Sequence, residues 1–446
     1  FSVVRAVVLD PLPYDAPERL VSLRMLTPAR DYFSTSEPAF LDWREGLETT
    51  VDVAGLASRT ETLRAPGEPR AVVRAYANAG FLELLGVEPR LGRSFAADED
   101  RPGEPAPVAL LGRDLWTERF SADPAAVGAR LDIDGRSFEV IGVLPDGIDL
   151  LFGRDIDLLT PLAADPGMDR GEHYLDVVAR LAPGVTLERA RADLERLAAW
   201  QSATFEEDRG WTATLAPLDE MLLGTTTIRA GWVLLASAAL LLFMACLNVS
   251  NLLLARATAR QGEIGLRTVL GAGRWPLIRQ LSVESVALGG LGTVLGLSFA
   301  ATVLPLVRRL GGDRIPRLDE AALDPTALGV ALLVVVLVTG LAGLAPTLGV
   351  RSGTPAHALR GAGRYATTRG GGLRRALVGV QVAASVVLLL GTGLLVRSFV
   401  RLSNVDPGFD AAGTLTLTLS MPDAAYDWRE RGPLVQEILR AGREVS

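Results

Sequence analysis

Apolar residues gather in four long runs, Gly231–Leu254, Leu281–Val307, Thr326–Val350 and Ala376–Val396, and elsewhere apolar and polar positions mix over short distances. Each run holds roughly 20 residues or more, enough for a helix rising about 1.5 Å per residue to cross a hydrocarbon core about 30 Å thick. Their only charged residue is Glu284. A helix in a soluble core keeps a polar stripe, so the pattern predicts four membrane helices. A charge at the bilayer centre costs about 2.5–3.5 kcal/mol; Glu284 stands one turn into its run, beside the interface.

The segments between the runs set the orientation. Residues 255–280 carry Arg256, Arg260, Arg267, Arg274 and Arg279 against one acid, Glu263, and residues 351–375 carry six arginines and no acid. Both loops are predicted to be cytoplasmic, because short arginine-rich loops stay inside. The loop between the second and third runs also has arginines, but Asp313, Asp319, Glu320 and Asp324 stand among them. Spanning by all four runs places that loop outside, together with the residues before the first run and those after the last.

Before the first run the period changes. AVVRAYANAGFLELLG and PVALLGRDLWTERF each read as a strand followed by a helix, and ARLDIDGRSFEVIGVLP reads as a hairpin turning at Asp134-Gly135. DVVARLAPGVTLERARADLERLAAWQ gives a strand, a Pro-Gly break and an amphipathic helix starting near Thr186. Residues 1–229 are thus expected to form an α+β domain outside the cytoplasm, 230–396 the membrane domain, and 397–446 the beginning of a second outside domain. Asp98, Glu99 and Asp100 are expected in a solvated loop, and no pair of carboxylates has a catalytic spacing.

Composition narrows the chemistry. Mean hydropathy is +0.27 with 22% charged residues, the mixture expected of a membrane part joined to an aqueous one. A net charge of -7 disfavours nucleic acid as the partner. Cys246 is the only cysteine, inside an apolar run, and His173 and His357 are the only histidines; they support neither an intrachain disulfide, a zinc site nor a histidine-dependent triad. All 45 basic residues are arginine. A Walker A loop needs a lysine to reach the β- and γ-phosphates, so no ATPase site, cofactor-binding site or metal site is assigned.

The two ends repeat one another. FSVVRAVVLDPLPYDAPERLVSLRML resembles GLLVRSFVRLSNVDPGFDAAGTLTLTLS, with VVRAVV against LVRSFV. The second copy follows a membrane run, so a membrane helix is expected ahead of Phe1.

FLELLGVEPRLGRSF, DGRSFEVIGVLP and RQGEIGLRTVLGAGRWPLIRQ followed by Glu284 occur in one order along the chain. In these segments the chain resembles the permeases of MacB/FtsX-type ABC transporters, and within them the large permeases in which two halves are fused. The resemblance implies a four-helix membrane bundle in this stretch with an α+β extracytoplasmic domain of the MacB periplasmic type, in a bacterial inner membrane. It also implies a cytoplasmic ABC ATPase dimer as partner, a second permease half or protomer, and an envelope adaptor or outer-membrane partner.

Arg260, Glu263 and Arg267 recur every three or four residues, one helical face, with Glu263 in the favourable order before Arg267. With Arg274 they are the candidate ATPase-coupling residues. Asn248 and Asn251 can hydrogen-bond between membrane helices, and Gly292 and Gly296 form a GxxxG face, so these are candidate packing residues. The runs offer few ionisable groups for a solute path, which favours mechanotransmission of ATPase motion to the outside domain, for efflux or envelope-substrate export. The alternative is a transmembrane regulator that switches an extracytoplasmic hydrolase or sensor.

Overall fold

The computed structural model describes residues 2–29, 31–64, 70–259, 274–311, 317–333, 336, 366–405, 432–433 and 435–440. By contacts, Pro11–Thr225 and Thr416–Ser446 group as one compact unit, and Phe1–Asp10 with Thr226–Leu415 as another. The first ten residues therefore group with the membrane helices rather than with the domain they lead into.

Local sequence signals fix the domain's turns. Asp134 and Gly135 have φ values of 50° and 82°, the left-handed pair that a two-residue hairpin needs, and join strands Arg130–Ile133 and Arg136–Val143. Thr186 caps the helix Leu187–Thr204, its hydroxyl accepting from the N–H of Arg189. The segments read as strand then helix become Arg70–Ala77 with Phe81–Leu85, and Val108–Leu111 with Arg113–Phe120.

These strands build one mixed sheet in the order Thr212–Pro217, Leu20–Leu26, Asp176–Leu181, Thr50–Arg64, Arg70–Ala77, Leu158–Pro161, Val108–Leu111, Arg136–Val143 and Leu91–Gly92. The hairpin strand Arg130–Ile133 pairs both with Arg136–Val143 and with the end of Thr50–Arg64, at Leu63↔Ile133. That second pairing closes six strands into a ring and removes two sheet edges. Leu63, Val72, Leu131, Ile133, Phe138 and Val140 belong to the apolar cluster of this part. At the other end of the sheet, the helices Glu37–Gly46 and Leu187–Thr204 contribute Phe40, Trp43, Leu194 and Leu197 to a separate core with Val21, Leu23 and Val177. Trp43 is fully buried, and its Nε1 donates to Gln201 Oε1 at 2.9 Å.

One expectation fails inside the domain. Asp98 is exposed, but Asp100 is not a solvated loop residue: its carboxylate accepts from the N–H groups of Ala79 (2.8 Å) and Ala163 (2.6 Å). Glu99 is held by Arg93 at 2.7 Å. Short-range sequence cannot show that two donors from distant segments converge on one carboxylate.

In the other unit, three helices are long and apolar enough to cross a membrane: Thr225–Ala259, Arg274–Gly311 and Ala366–Ser403, with apolar stretches Thr225–Val249, Gly289–Arg309 and Val378–Ser398. The third predicted run, 326–350, lies largely outside the described residues, so the structure supports three of the four predicted spans. The helices overrun their apolar runs because flanks such as TTTIRA and ARATA contain nothing that stops a helix. Glu284 falls just before the apolar stretch of its helix.

The predicted orientation has a direct test. In a Cys246→Ser background, a cysteine at Ser137, exposed on the domain's hairpin, should react with a membrane-impermeant maleimide added outside. One at Thr368 should react only after permeabilisation. Labelling of both from one side would contradict the topology.

Candidate functional site

Of the candidate coupling residues, Arg260, Glu263 and Arg267 lie outside the described residues, and Arg274 is the first residue of the helix Arg274–Gly311. Asn248 is exposed on the helix Thr225–Ala259, and Asn251 lies on the same helix. No described atom comes within 4 Å of a Cβ built on Gly292 or Gly296. Among the described residues, none therefore comes within that distance of the GxxxG face.

A set of charged contacts joins the first ten residues to residues 317–324. Residues 2–9 form a short helix that opens as α and continues as π from Arg5 to Leu9, with Val4, Ala6 and Val7 buried. Val8 lies against Gly231 on the helix Thr225–Ala259. At the end of the short helix, Asp10 receives two arginines. Arg5 Nε donates to its carboxylate at 2.9 Å, and Arg317 Nη1 donates to its carbonyl at 2.7 Å. A cation at the last carbonyl of a helix complements the helix dipole.

The loop that supplies Arg317 is itself fixed. Leu318 and Ala321 are buried, the turn Leu318–Glu320 packs on Arg5–Leu9, and the Arg308 guanidinium donates to the carbonyl of Ala321. Arg317 also pairs with Glu320 at 3.0 Å. Asp324 then caps the helix 325–333: its carboxylate accepts from the N–H of Ala327 at 2.9 Å and the hydroxyl of Thr326 at 2.7 Å. The same carboxylate pairs with Arg5.

Inside the domain, the lead-in segment is held by another arginine. Arg180, buried on the strand Asp176–Leu181, donates only to carbonyls: Nε to Leu84 and Nη2 to Asp15, both at 2.6 Å, and Nη1 to Ala16 at 3.4 Å. Burial pulls its pKa below the usual arginine value, and the neighbouring Arg19 adds to that. At the end of the domain away from its two chain connections, Tyr32 and Phe33 are exposed, and Phe33 meets the stacked rings of His173 and Trp211 edge-on.

A model of the MacB-like periplasmic core domain matches residues 4–197, and one of the FtsX-like permease C-terminal region matches residues 235–355. The chain belongs to the MacB/FtsX-type permeases. Curated relatives of the permease include the macrolide export ATP-binding/permease protein MacB of Rhodospirillum rubrum, 29% identical over 46% of this chain and 32% of the relative. The protein of the same name from Chlorobium luteolum is 30% identical over 47% of this chain and 31% of the relative. The permease spans about a third of the length of these relatives. Among solved structures, a domain of a putative permease from Porphyromonas gingivalis matches 46% of this chain and 92% of that one, at 18% identity and a TM-score of 0.37. The periplasmic region of MacB from Actinobacillus actinomycetemcomitans matches 49% and 93%, at 13% identity and a TM-score of 0.36.

The sequence reading of the permease missed Arg5, Asp10, Arg317 and Asp324. A signal was present. Arginines on a loop assigned to the outside run against the charge bias that orients membrane helices, and the structure gives Arg308 and Arg317 other employment as donors to backbone carbonyls.

Proposed function

We propose that the chain is a permease subunit that converts ATP hydrolysis by a separate cytoplasmic ATPase dimer into motion of its extracytoplasmic domain. The observation carrying this reading is the tandem match, a MacB-like periplasmic core followed by an FtsX-like permease region. Between residues 230 and 249, 289 and 307, and 378 and 396, the three described spans contain no Asp, Glu or Arg. A polar solute would find no ionisable groups along these stretches, so the work falls on the outside domain, acting on a hydrophobic or envelope substrate. The macrolide-export names of the relatives support the efflux form of this reading. The Arg260–Arg274 segment is the proposed contact for the ATPase, a second permease half or protomer completes the membrane bundle, and the exposed Tyr32–Phe33 end is the surface offered to an envelope partner.

Purified alone, the chain should hydrolyse no ATP and show no saturable nucleotide binding at micromolar concentration, since no lysine exists to hold the phosphates. Affinity purification of the full-length protein in mild detergent should recover an ABC ATPase, and hydrolysis should appear with it. Hydrolysis by the chain alone, or a purified complex without any ATPase, would sink this reading.

A further inference from the structure

We infer that Arg5, Asp10, Arg317 and Asp324 form an ionic latch that fastens the segment entering the extracytoplasmic domain to the loop before the helix 325–333, so that residues 2–10 and 317–327 move as one body. The mechanical use of the latch rests on the function proposed above.

The charge on this loop is not required by the topology. An exposed ion pair is worth little by itself, but these four residues are chained. Arg5 holds two carboxylates, Asp10 through Nε at 2.9 Å and Asp324 through Nη1, while Arg317 holds the backbone of Asp10. Asp324 divides its two oxygens between a helix cap and Arg5: Oδ1 serves Ala327, and Oδ2 serves Thr326 and Arg5. The start of one helix and the end of another are thereby tied through shared side chains. Burial of Leu318, Ala321, Val4 and Val7 around the same contacts leaves little room for the loop to slide. Arg317 is 5% exposed in its side chain and has a φ of 62°, a left-handed conformation that arginine rarely adopts and that the surrounding contacts must hold.

The position of the latch gives it a consequence. Residue 10 connects covalently to the domain that begins at Pro11. A displacement of the helix 325–333 would reach residue 10 through side-chain contacts as well as through lipid and backbone. The sequence repeat places an arginine at the matching position, Arg397 in LVRSFV against Arg5 in VVRAVV, as expected if the second copy is fastened by the same chemistry.

Hydrogen exchange of the intact chain in lipid nanodiscs, without nucleotide or ATPase, tests the latch separately from the proposed function. Arg5→Gln should speed exchange in residues 4–10 and 325–330 about fivefold, the factor that corresponds to an exposed pair at the upper end of its range. Arg317→Gln, which removes a buried donor, should speed residues 4–10 by about tenfold or more. Asp324→Asn keeps an N-cap residue and the Arg5–Asp10 pair, so it should speed the same residues, but by less than Arg5→Gln. The double variant Arg5→Gln/Asp324→Asn should exchange no faster than Arg5→Gln, since the contact between the two residues is already lost there. Exchange in Val378–Ser398 should stay at the wild-type rate in all four and reports intact folding. Wild-type exchange in Arg5→Gln, or additive effects in the double variant, would overturn the latch. A purified complex lacking an ATPase would instead remove the proposed function and leave the exchange result standing.

Discussion

Arg180→Met should destabilise the extracytoplasmic domain by about 3 kcal/mol, because each buried carbonyl left without a donor costs roughly 1–3 kcal/mol. Arg180 serves three carbonyls, and Ala16 alone keeps another donor, the N–H of Arg19 at 3.0 Å. Methionine fills a similar volume, so the loss isolates the hydrogen bonds rather than the packing. Leu84 lies in the last turn of the helix Phe81–Leu85, where a cation is also favoured by the helix dipole. Arg180→Lys should fall between wild type and Arg180→Met, since an ammonium cannot span donors set in the guanidinium fork. Urea unfolding of the purified chain, followed by tryptophan fluorescence, measures this. A loss below about 0.5 kcal/mol, the size of an ordinary surface substitution, would mean that the lead-in segment is held by something else.

The second large effect is expected on the opposite side of the membrane. Glu263→Arg and Arg267→Glu should each uncouple the ATPase while leaving insertion intact, because an exposed pair four residues apart on a helix contributes only about 0.3–0.5 kcal/mol to folding. A charge left unpaired in an interface costs about 2–5 kcal/mol, so copurification of the ATPase at matched expression should fall by more than tenfold. Full copurification and full ATPase stimulation in both variants would mean that this segment does not contact the ATPase, and would make Arg351–Arg375 the next candidate.

Much of the domain was legible because its signals are local. Asp134-Gly135 specifies a turn through the φ values it tolerates, Thr186 specifies a helix start through one hydroxyl, and the membrane spans follow from length and polarity. The ring closure was not legible, since Leu63↔Ile133 joins strands about 70 residues apart and alternation says which face is buried without saying which strand is next. Asp100 and Arg180 show the same limit for polar groups. Each looks like a surface charge in sequence, and each is committed to backbone partners brought in by the fold. The latch lies between these cases. Its arginines were conspicuous on an outside loop, but only the structure shows Arg5 and Asp324 in contact across more than 300 residues.

The most direct test of the account is whether nucleotide at the ATPase moves the outside domain. Spin labels at Thr204, exposed at the end of the helix Leu187–Thr204, and at Leu328, exposed on the helix 325–333, would be placed in a Cys246→Ser chain assembled with the copurifying ATPase in nanodiscs. The account predicts that the distance distribution between the labels shifts when a non-hydrolysable ATP analogue is added, and that the shift is absent for the chain without ATPase. A distribution unchanged by the analogue in a complex that hydrolyses ATP would contradict it.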